Sequence, residues 1–343
     1  MVEAGPSAGR NVRLRVAFVG CGAIAHAHAQ AIGDVPALEL AALVDPDPNA
    51  RRAFAGDGAL PAFADVEALL AADLPLDGAL VLTPPAHHDT LACRLLGAGL
   101  HVLCEKPLAP TEAAAERMFA AAHAADRRLV LAGKFRHVAD VAAARALLAE
   151  GRIGALVRYE NVFTGRAAMA GRWQADPVQS GGGVLMDNGS HVADLATALL
   201  GPLARVQATF APPAPGFAVE DTVHLQFTSQ GGVLGTADLS WRTHVEAPYV
   251  RLSGERGAIE LGWRGARWRQ DDRAWQTFGS GYDKRAAFAG VLAGFARTCA
   301  DGPAPDGGEA QARAAVAFVA AAYRSAAAGR AVELAGEAPP SRA

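Results

Sequence analysis

A glycine-rich segment near the N-terminus of this 343-residue chain has the spacing of a dinucleotide-binding loop. The segment GCGAIA, residues 20–25, has the form G-x-G-x-x-A and follows the apolar run RVAFV. Gly20 permits a tight turn, and Gly22 lets the backbone approach a pyrophosphate. A helix beginning at Ala23 and Ile24 would direct its N-terminal N–H groups at the phosphates. The segment therefore predicts a nicotinamide dinucleotide site.

An acidic residue stands where such a site contacts the adenosine ribose. Asp45 closes the next apolar run, 20 positions after Ala25, and its carboxylate would accept hydrogen bonds from the ribose hydroxyls. Because a 2′-phosphate would meet a like charge there, Asp45 favours NAD over NADP. Arg51 and Arg52 follow closely enough to keep NADP open as the less favoured cofactor.

Three further side chains have types suited to proton transfer. Glu105-Lys106-Pro107 follows the apolar run HVLC, which places Lys106 at the C-terminal edge of a predicted parallel strand, where open α/β sheets bind ligands. Alone, Lys106 would be interpreted as a solvated lysine paired with Glu105. In the second half of the chain, Asp187 and His191 are four residues apart at a predicted helix start, so they would project from one face.

The elements that position these residues alternate in the first half of the chain. Short apolar runs alternate with Ala-rich helical stretches from about residue 14 to 133, which predicts repeated βαβ units. The fold class is therefore α/β, with an N-terminal doubly wound parallel sheet of Rossmann type. The predicted helices cover Ala23–Ile32, Val66–Ala71, 88–96 and Glu112–Ala124, the last with Thr111 as its N-cap.

The second half has a different pattern. A helix over 141–149 is followed by alternating segments such as VHLQFTSQ and VLGTADLSW, with glycine-rich turns between them. These predict a C-terminal α+β domain on a large, mainly antiparallel open sheet, closed by helices over 285–299 and 309–327. The predicted domains are a flexible N-terminus at 1–12, a Rossmann domain at 13–137, a substrate and oligomerisation domain at 138–335, and a flexible tail at 336–343.

Taken together, these features resemble the Gfo/Idh/MocA family of oxidoreductases, named for glucose–fructose oxidoreductase and inositol dehydrogenase. The resemblance spans most of the chain, and the order and spacing of its motifs make it specific. The motifs are the glycine loop at Gly20, Asp45, the stretch TPPAHH at 83–88, Glu105-Lys106-Pro107, GRIG at 151–154, and the segment from the triple glycine at 181–183 through Asp187 to His191.

The resemblance implies that a substrate binds between the domains and that Lys106, Asp187 and His191 are catalytic. In such enzymes a hydride leaves a carbinol carbon for the nicotinamide while a base removes the hydroxyl proton. His191 is the candidate base, because imidazole titrates near pH ~6.5. Lys106 would stabilise the reacting oxygen, and Asp187 would position the substrate or assist the proton transfer. Which of Lys106 and His191 finally accepts the proton stays open.

The resemblance also indicates contacts to the cofactor from Thr83, Pro84, His88, Glu105 and Lys106. For His88, as for its neighbour at position 87, a role in helix capping and packing is an equal alternative.

Several polar residues are candidates for the substrate pocket. They are Lys134, Arg136, Arg166, Arg172, Trp173 and Asn188. The basic groups would hold a phosphate or carboxylate, and a solvated face is the competing interpretation. Trp263 and Tyr282 are too isolated in the sequence for a role to be assigned.

Composition limits the partners. The net charge is -3 and the basic residues are scattered, so neither nucleic acid nor membrane binding is expected. The four cysteines lie far apart, no signal peptide is apparent, and no metal site is expected, which together indicate a cytoplasmic protein with reduced thiols. The resemblance suggests a homodimer or homotetramer.

The leading hypothesis is an NAD-dependent dehydrogenase of a cyclitol, sugar or sugar derivative. Two alternatives remain open at this point. The first is an enzyme of the same family that recycles NAD while it cleaves a glycoside or reduces a keto-sugar. The second is a non-catalytic dinucleotide-sensing regulatory protein.

Overall fold

The computed structural model describes residues 13–55, 60–169, 171–300 and 308–334. The flexible segments that we predict at 1–12 and 336–343 lie outside these residues. The described chain forms two β-sheets, each packed against helices.

The first sheet is the predicted Rossmann sheet. Its strands are β1 (Leu14–Val19), β2 (Leu38–Val44), β3 (Ala62–Phe63), β4 (Gly78–Val81), β5 (His101–Cys104) and β6 (Leu129–Leu131). All are parallel, in the order β3-β2-β1-β4-β5-β6. This order reverses direction between β1 and β4, and doubly wound sheets bind dinucleotides at such a reversal. The predicted fold class is confirmed for this domain.

The helices of this domain largely match the predicted ones. They are α1 (Ala23–Ile32), α2 (Pro48–Ala55), α3 (Val66–Ala71), α4 (His88–Gly97) and α5 (Glu112–Ala124). Thr111 caps α5, since its side chain accepts a hydrogen bond from the Ala114 N–H at 3.2 Å. Helix α2 and strand β3 are not among the predicted elements. Helix α2 has only eight residues, none of them fully buried although Ala50, Phe54 and Ala55 pack against the core, and β3 has only two residues.

The second sheet has nine strands. They are β7 (Leu156–Thr164), β8 (Leu203–Phe210), β9 (Thr222–Ser229), β10 (Leu234–Ser240), β11 (Val250–Gly254), β12 (Gly257–Leu261), β13 (Ala266–Gln270), β14 (Gln276–Gly279) and β15 (Val332–Glu333). Neighbouring strands are antiparallel except β7 and β10, which run parallel. The prediction of a large, mainly antiparallel sheet is confirmed.

Five further α-helices follow in the described chain. They are α6 (Ala139–Ala149), α7 (Pro177–Ser180), α8 (Val184–Leu200), α9 (Lys284–Cys299) and α10 (Glu309–Ala328). Helices α8 and α10 pack on each other and cover one face of the second sheet. The opposite face carries exposed side chains such as Val157 and Leu234. None of the helices within the described residues is long and apolar enough to cross a membrane.

Strand direction places the C-terminal ends of several strands at one edge of each sheet. In the first sheet every strand ends at the same edge, because all are parallel. In the second sheet β10 is parallel to β7, and β12 has the same direction because β11 is antiparallel to both β7 and β12. Phe163 at the end of β7, Trp241 after β10 and Trp263 after β12 therefore lie at one edge.

Helix α9 packs on the first sheet, although sequence analysis assigned it to the second domain. Phe288, Leu292 and Phe295 of α9 share a buried core with Phe18 of β1 and Leu80 of β4. The chain thus returns to the Rossmann domain after the second sheet. Sequence could not show this, since an Ala-rich amphipathic helix carries no information about which of two sheets it covers.

The position of α9 generates a stability prediction. Phe295 is fully buried, so Phe295→Ala should lower the free energy of unfolding by about 3–5 kcal/mol, the usual cost of removing a core phenylalanine. Urea unfolding followed by circular dichroism measures the loss. The control Val178→Ala, at a side chain 77% exposed, should change it by no more than about 0.5 kcal/mol.

Hydrogen exchange locates the effect of Phe295→Ala. Amide exchange should accelerate in β1 and β4, because these strands lose their packing partner. Acceleration confined to β8, β9 and β10 would contradict the assignment of α9 to the first sheet.

Candidate active site between the two sheets

Two cavities adjoin where the edges of the sheets meet. The larger cavity, about 710 Å³, follows the C-terminal ends of the Rossmann strands. The smaller cavity, about 380 Å³, lies against the edge of the second sheet. Lys106 and Asp187 line both cavities. A molecule in either cavity would therefore contact the same two side chains.

The glycine turn forms one wall of the larger cavity. Gly20 has a φ of +101°, and a Cβ there would lie 2.9 Å from the carbonyl group of Leu82, so only glycine fits. A Cβ on Gly22 would have no neighbour within 4 Å, which leaves open space beside the start of α1. Ala23 and Ile24 line the cavity, and no side chain caps α1. The turn therefore offers backbone N–H groups to an anionic ligand, as dinucleotide phosphates require.

The carboxylate of Asp45 is fixed at the same cavity. One oxygen accepts a hydrogen bond from the Cys21 N–H at 2.8 Å, and the other accepts from the Asp47 N–H at 2.9 Å. The guanidinium of Arg51 donates to the backbone carbonyl of Asp45, and Arg52 bonds Asn49. Neither arginine lines the cavity. The fixed charge at this end is negative, which suits NAD better than NADP.

The loop after β4 supplies a further wall. Thr83, Pro84 and His87 line the larger cavity, and the buried Thr83 hydroxyl has no hydrogen-bond partner among the described residues. An orphaned hydroxyl of this kind fits a polar ligand.

The structure does not bring His88 to the cavity. Its ring is fully buried and spans the carbonyl oxygens of Thr83 and Pro107, at 2.8 and 2.9 Å. Burial lowers the pKa of His88, and the bonds to the two carbonyl groups only partly offset this effect. His88 thus connects the two loops that flank the cavity, and any influence on a cofactor would be indirect.

Glu105 holds the lysine-bearing turn from the side of the Rossmann domain. Its carboxylate contacts Nε2 of the buried His28 at 2.9 Å and accepts a hydrogen bond from the Lys106 N–H at 3.0 Å. Burial by itself would raise the pKa of Glu105, but the bond to His28 and the nearby lysines outweigh burial and lower it. Glu105 is therefore an anion, and it also lines the larger cavity.

Lys106 reaches across to the second domain. Its Nζ donates to Asp187 Oδ1 at 2.5 Å and to the Asp187 carbonyl oxygen at 3.1 Å. An ammonium group has three protons, so one remains for a substrate oxygen. The Lys106 and Asp187 side chains are 18% and 21% exposed, which keeps the pair accessible from both cavities.

Asp187 and His191 lie on the first turns of α8, whose start is fixed by close packing. A Cβ on Gly183 would overlap the carbonyl oxygen of Glu220, and the Glu220 side chain accepts hydrogen bonds from the N–H groups of Gly183 and Leu185 at 2.9 and 3.1 Å. The glycine thus lets a carboxylate cap the helix. As predicted from their spacing, Asp187 and His191 face the same cavity.

His191 is a buried, neutral imidazole. Its ring packs edge-on against Phe135 with the centroids 4.9 Å apart, and only 4% of the residue is exposed. Burial lowers its pKa well below 6.5, and the positive charges of Lys106 and Lys134 add to this effect. Neither ring nitrogen has a hydrogen-bond partner within the described part of the chain. The ring is therefore available to accept a proton from a molecule in the smaller cavity.

Lys134 is a second lysine of the smaller cavity. It follows β6, and its Nζ lies 5.5 Å from the ring centroids of Phe135 and Phe288 and 5.9 Å from that of Tyr282. Burial and the repulsion from Lys106 lower its pKa to about 8. Only three of the 32 Lys and Arg residues are lysines, and all three line these two cavities.

Other predicted pocket residues are placed differently. Arg136 is buried and bonds both carboxylate oxygens of Asp194, so it does not reach the smaller cavity. Arg166 and Arg172 are exposed and line neither cavity. Trp173 lines the larger cavity rather than the smaller one, whereas Asn188 lines the smaller.

Sequence reasoning missed the aromatic wall of the smaller cavity. The wall consists of Phe135, Phe163, Trp241, Trp263 and Tyr282. Phe135, Phe163, Trp263 and Tyr282 form one network of ring contacts, with Phe135 and Tyr282 stacked at a centroid distance of 5.2 Å, whereas the Trp241 ring contacts Phe217. Each residue comes from a different segment of the chain, so no local spacing connects them. Phe135 follows the last predicted Rossmann strand and Trp241 ends the predicted segment VLGTADLSW, but no predicted strand leads to Phe163, Trp263 or Tyr282.

Known proteins are similar to this chain in sequence. A family model described as the oxidoreductase family with an NAD-binding Rossmann fold matches residues 14–133, and a model of the GFO/IDH/MocA C-terminal domain matches residues 141–260. The chain is 28% identical over 263 residues to D-apiose dehydrogenase of Paraburkholderia graminis, covering 73% of this chain and 68% of that protein. It is 34% identical over 146 residues to inositol 2-dehydrogenase of Leifsonia xyli, covering 42% of this chain and 43% of that protein.

A solved structure extends the likeness to the whole fold. The aldose-aldose oxidoreductase from Caulobacter crescentus, complexed with glycerol, superposes with a TM-score of 0.86 at 25% identity, covering 94% of this chain and 100% of that one. With models of one family on both halves of the sequence, the chain belongs to the Gfo/Idh/MocA family of oxidoreductases and binds NAD in its Rossmann domain.

Proposed function

We propose that this enzyme oxidises a hydroxyl-bearing carbon of a sugar or sugar derivative bound in the smaller cavity. The observation that carries the proposal is that Lys106 and Asp187 line both cavities. Hydride transfer needs direct contact between a cofactor and a substrate, and this junction is where two bound molecules would meet.

The side chains at the junction have the properties that such a reaction needs. When bound in the larger cavity, NAD supplies the hydride acceptor. The free N–H of Lys106 donates a hydrogen bond to the substrate oxygen and stabilises the negative charge that develops on it. The neutral ring of His191 accepts the hydroxyl proton. Asp187 holds Lys106 in place through the ion pair at 2.5 Å.

The aromatic wall supports a carbohydrate substrate. Sugar rings have apolar C–H faces and polar edges, and the smaller cavity is lined both by aromatic side chains and by the polar residues Lys106, Asp187, Asn188 and His191. Relatives whose names give D-apiose, inositol and aldose as substrates agree with this class.

Net turnover separates this proposal from its alternatives. A dehydrogenase accumulates NADH when it is supplied with its substrate, and an enzyme that recycles NAD converts substrate without such accumulation. A sensing protein binds NAD and changes no substrate. Absorbance of NADH across a panel of sugars, cyclitols and sugar acids, with chromatography of the products, distinguishes the three.

The homo-oligomeric state and the cytoplasmic location stay predictions.

Loss of the proposed catalytic groups should reduce turnover without loss of NAD binding. Lys106→Met and His191→Asn should each lower kcat by about 10²- to 10⁴-fold, the usual contribution of a proton-transfer group. NADH fluorescence titration checks the binding. His123→Asn, at an exposed histidine paired with Glu309, is the matched control and should keep full activity. Wild-type kcat in either site variant would overturn the assignment.

The rate of hydride transfer should be nearly constant between about pH 6 and 7.5. Because the pKa of His191 lies well below 6.5, its ring stays neutral and able to accept a proton through this range. Single-turnover NADH formation with a neutral sugar should therefore vary by less than about twofold. A rise with pH centred near 6.5 would show that His191 titrates like an exposed histidine.

Asp45→Asn should reduce the preference for NAD. Removal of the fixed negative charge should lower the ratio of kcat/KM for NAD to that for NADP by about 10- to 100-fold, the size of one charge interaction near a protein surface. Asp47→Asn is the matched control, since Asp47 accepts a hydrogen bond from the Asn49 N–H at 2.8 Å but does not line the cavity. An unchanged ratio in Asp45→Asn would exclude Asp45 as the discriminating group.

A further inference from the structure

The smaller cavity contains a cation that forms no ion pair with a carboxylate of the described residues. Lys106 is paired with Asp187 and Arg136 with Asp194. Among the described residues, the ammonium group of Lys134 has no ion pair and no hydrogen bond, and it lies over aromatic rings. A desolvated ammonium without a counter-ion costs free energy, which a bound anion would recover.

The charges that face the cavity sum to one positive charge. Lys106 and Asp187 cancel, and His191 is neutral. Glu105 and Lys284 line only the larger cavity, and they act on Lys134 with opposite sign. The charge that remains in the smaller cavity is that of Lys134. A ligand with a single negative charge would balance it.

Two further unpaired polar atoms of the same cavity can donate hydrogen bonds. Trp241 Nε1 and the Tyr282 hydroxyl belong to side chains that line the cavity, neither has a hydrogen-bond partner among the described residues, and the hydroxyl can also accept. An indole N–H can only donate, as can an ammonium group. A carboxylate only accepts, with about four lone-pair positions, so it complements this set of donors.

We propose that the substrate is a sugar acid and that Lys134 binds its carboxylate. The inference rests on the proposed function, because it concerns the substrate of the same reaction. It assigns the carboxylate to the Lys134 side of the cavity and the reacting hydroxyl to the Lys106 and His191 side. A phosphate ester fits less well, because its charge of about -1.5 to -2 exceeds that of one lysine and would be repelled by Asp187.

Matched substrates test the proposal. Initial rates of NADH formation are measured for hexuronates and aldonates, for the aldoses and alditols that differ only by a neutral CH₂OH group, and for the corresponding sugar phosphates. We expect kcat/KM for at least one sugar acid to exceed that of its neutral counterpart by about 10- to 150-fold, the worth of a charged hydrogen bond. A larger kcat/KM for neutral sugars, or for sugar phosphates, would overturn the proposal.

Variants of Lys134 assign the effect to this residue. Lys134→Met, which keeps the length of the side chain without its charge, should lower the ratio of acid to neutral kcat/KM by about the same 10- to 150-fold. Lys134→Arg should retain the ratio. Arg166→Met, at an exposed cation outside the cavity, should leave it unchanged. If both Lys134 variants lose activity toward the two substrate classes equally, Lys134 acts in proton transfer and the proposal fails.

The pH dependence gives an independent readout. Lys134 is a cation below pH 8 and loses its proton above it, so kcat/KM for the sugar acid should fall above about pH 8, relative to the neutral sugar, because kcat/KM reports the free enzyme. In Lys134→Arg this relative fall should disappear, since guanidinium keeps its charge. A fall of the same size in Lys134→Arg would contradict the assignment.

Binding separates this inference from the proposed function. Isothermal titration of the NAD-loaded protein with glucuronate and galacturonate needs no turnover. If no panel member is oxidised but one of these acids binds to wild type and not to Lys134→Met, the proposed reaction fails and the carboxylate site stands. If sugars are oxidised but neither acid binds more tightly than its neutral counterpart, the reaction stands and the carboxylate site fails.

Discussion

The ion pair between Lys106 and Asp187 joins the two sheets at the point where their strand ends meet. Both side chains are mostly buried, so the cost of removing the two charges from water offsets much of their attraction, and the pair adds little to the folding free energy. Its importance is positional. Within the Rossmann domain, Glu105 binds the buried His28, and from the second domain Asp187 binds Lys106. The dipeptide Glu105-Lys106 is thereby held from both domains, and a single ammonium group is presented to two cavities.

Two helices connect the packing of the two sheets. Helix α9 returns from the second sheet to cover the first, and its Phe288 and Phe295 complete the Rossmann core. Helix α10 contacts α5 and β6 of the first domain as well as α8 of the second. Because the chain crosses between the sheets more than once, the site rests on a continuous apolar core, and its geometry does not depend on one linker.

The confinement that brings the polar groups together also changes their protonation. Burial and the two neighbouring lysines oppose a positive charge on His191, and burial and Lys106 oppose one on Lys134. In water neither side chain would be perturbed to this extent. The cavity therefore contains a neutral base beside a cation whose charge responds to mild alkali. These states follow from the desolvation of the site and from the spacing of its charges, and neither is a property of the residues alone.

Much of the fold, and the polar half of the site, could be predicted from the sequence by itself. The glycine turn at Gly20, the acid at Asp45 and the lysine after β5 are local patterns, because strand, turn and helix are encoded by neighbouring residues. The i and i+4 spacing of Asp187 and His191 is local in the same way. Tertiary structure alone decided that Arg136 forms an ion pair with Asp194 and does not reach the substrate cavity, that α9 covers the first sheet, and that Trp263 and Tyr282 complete the aromatic wall. These outcomes depend on contacts between segments far apart in the chain, which the direction and order of the strands determine and which no short stretch of sequence contains.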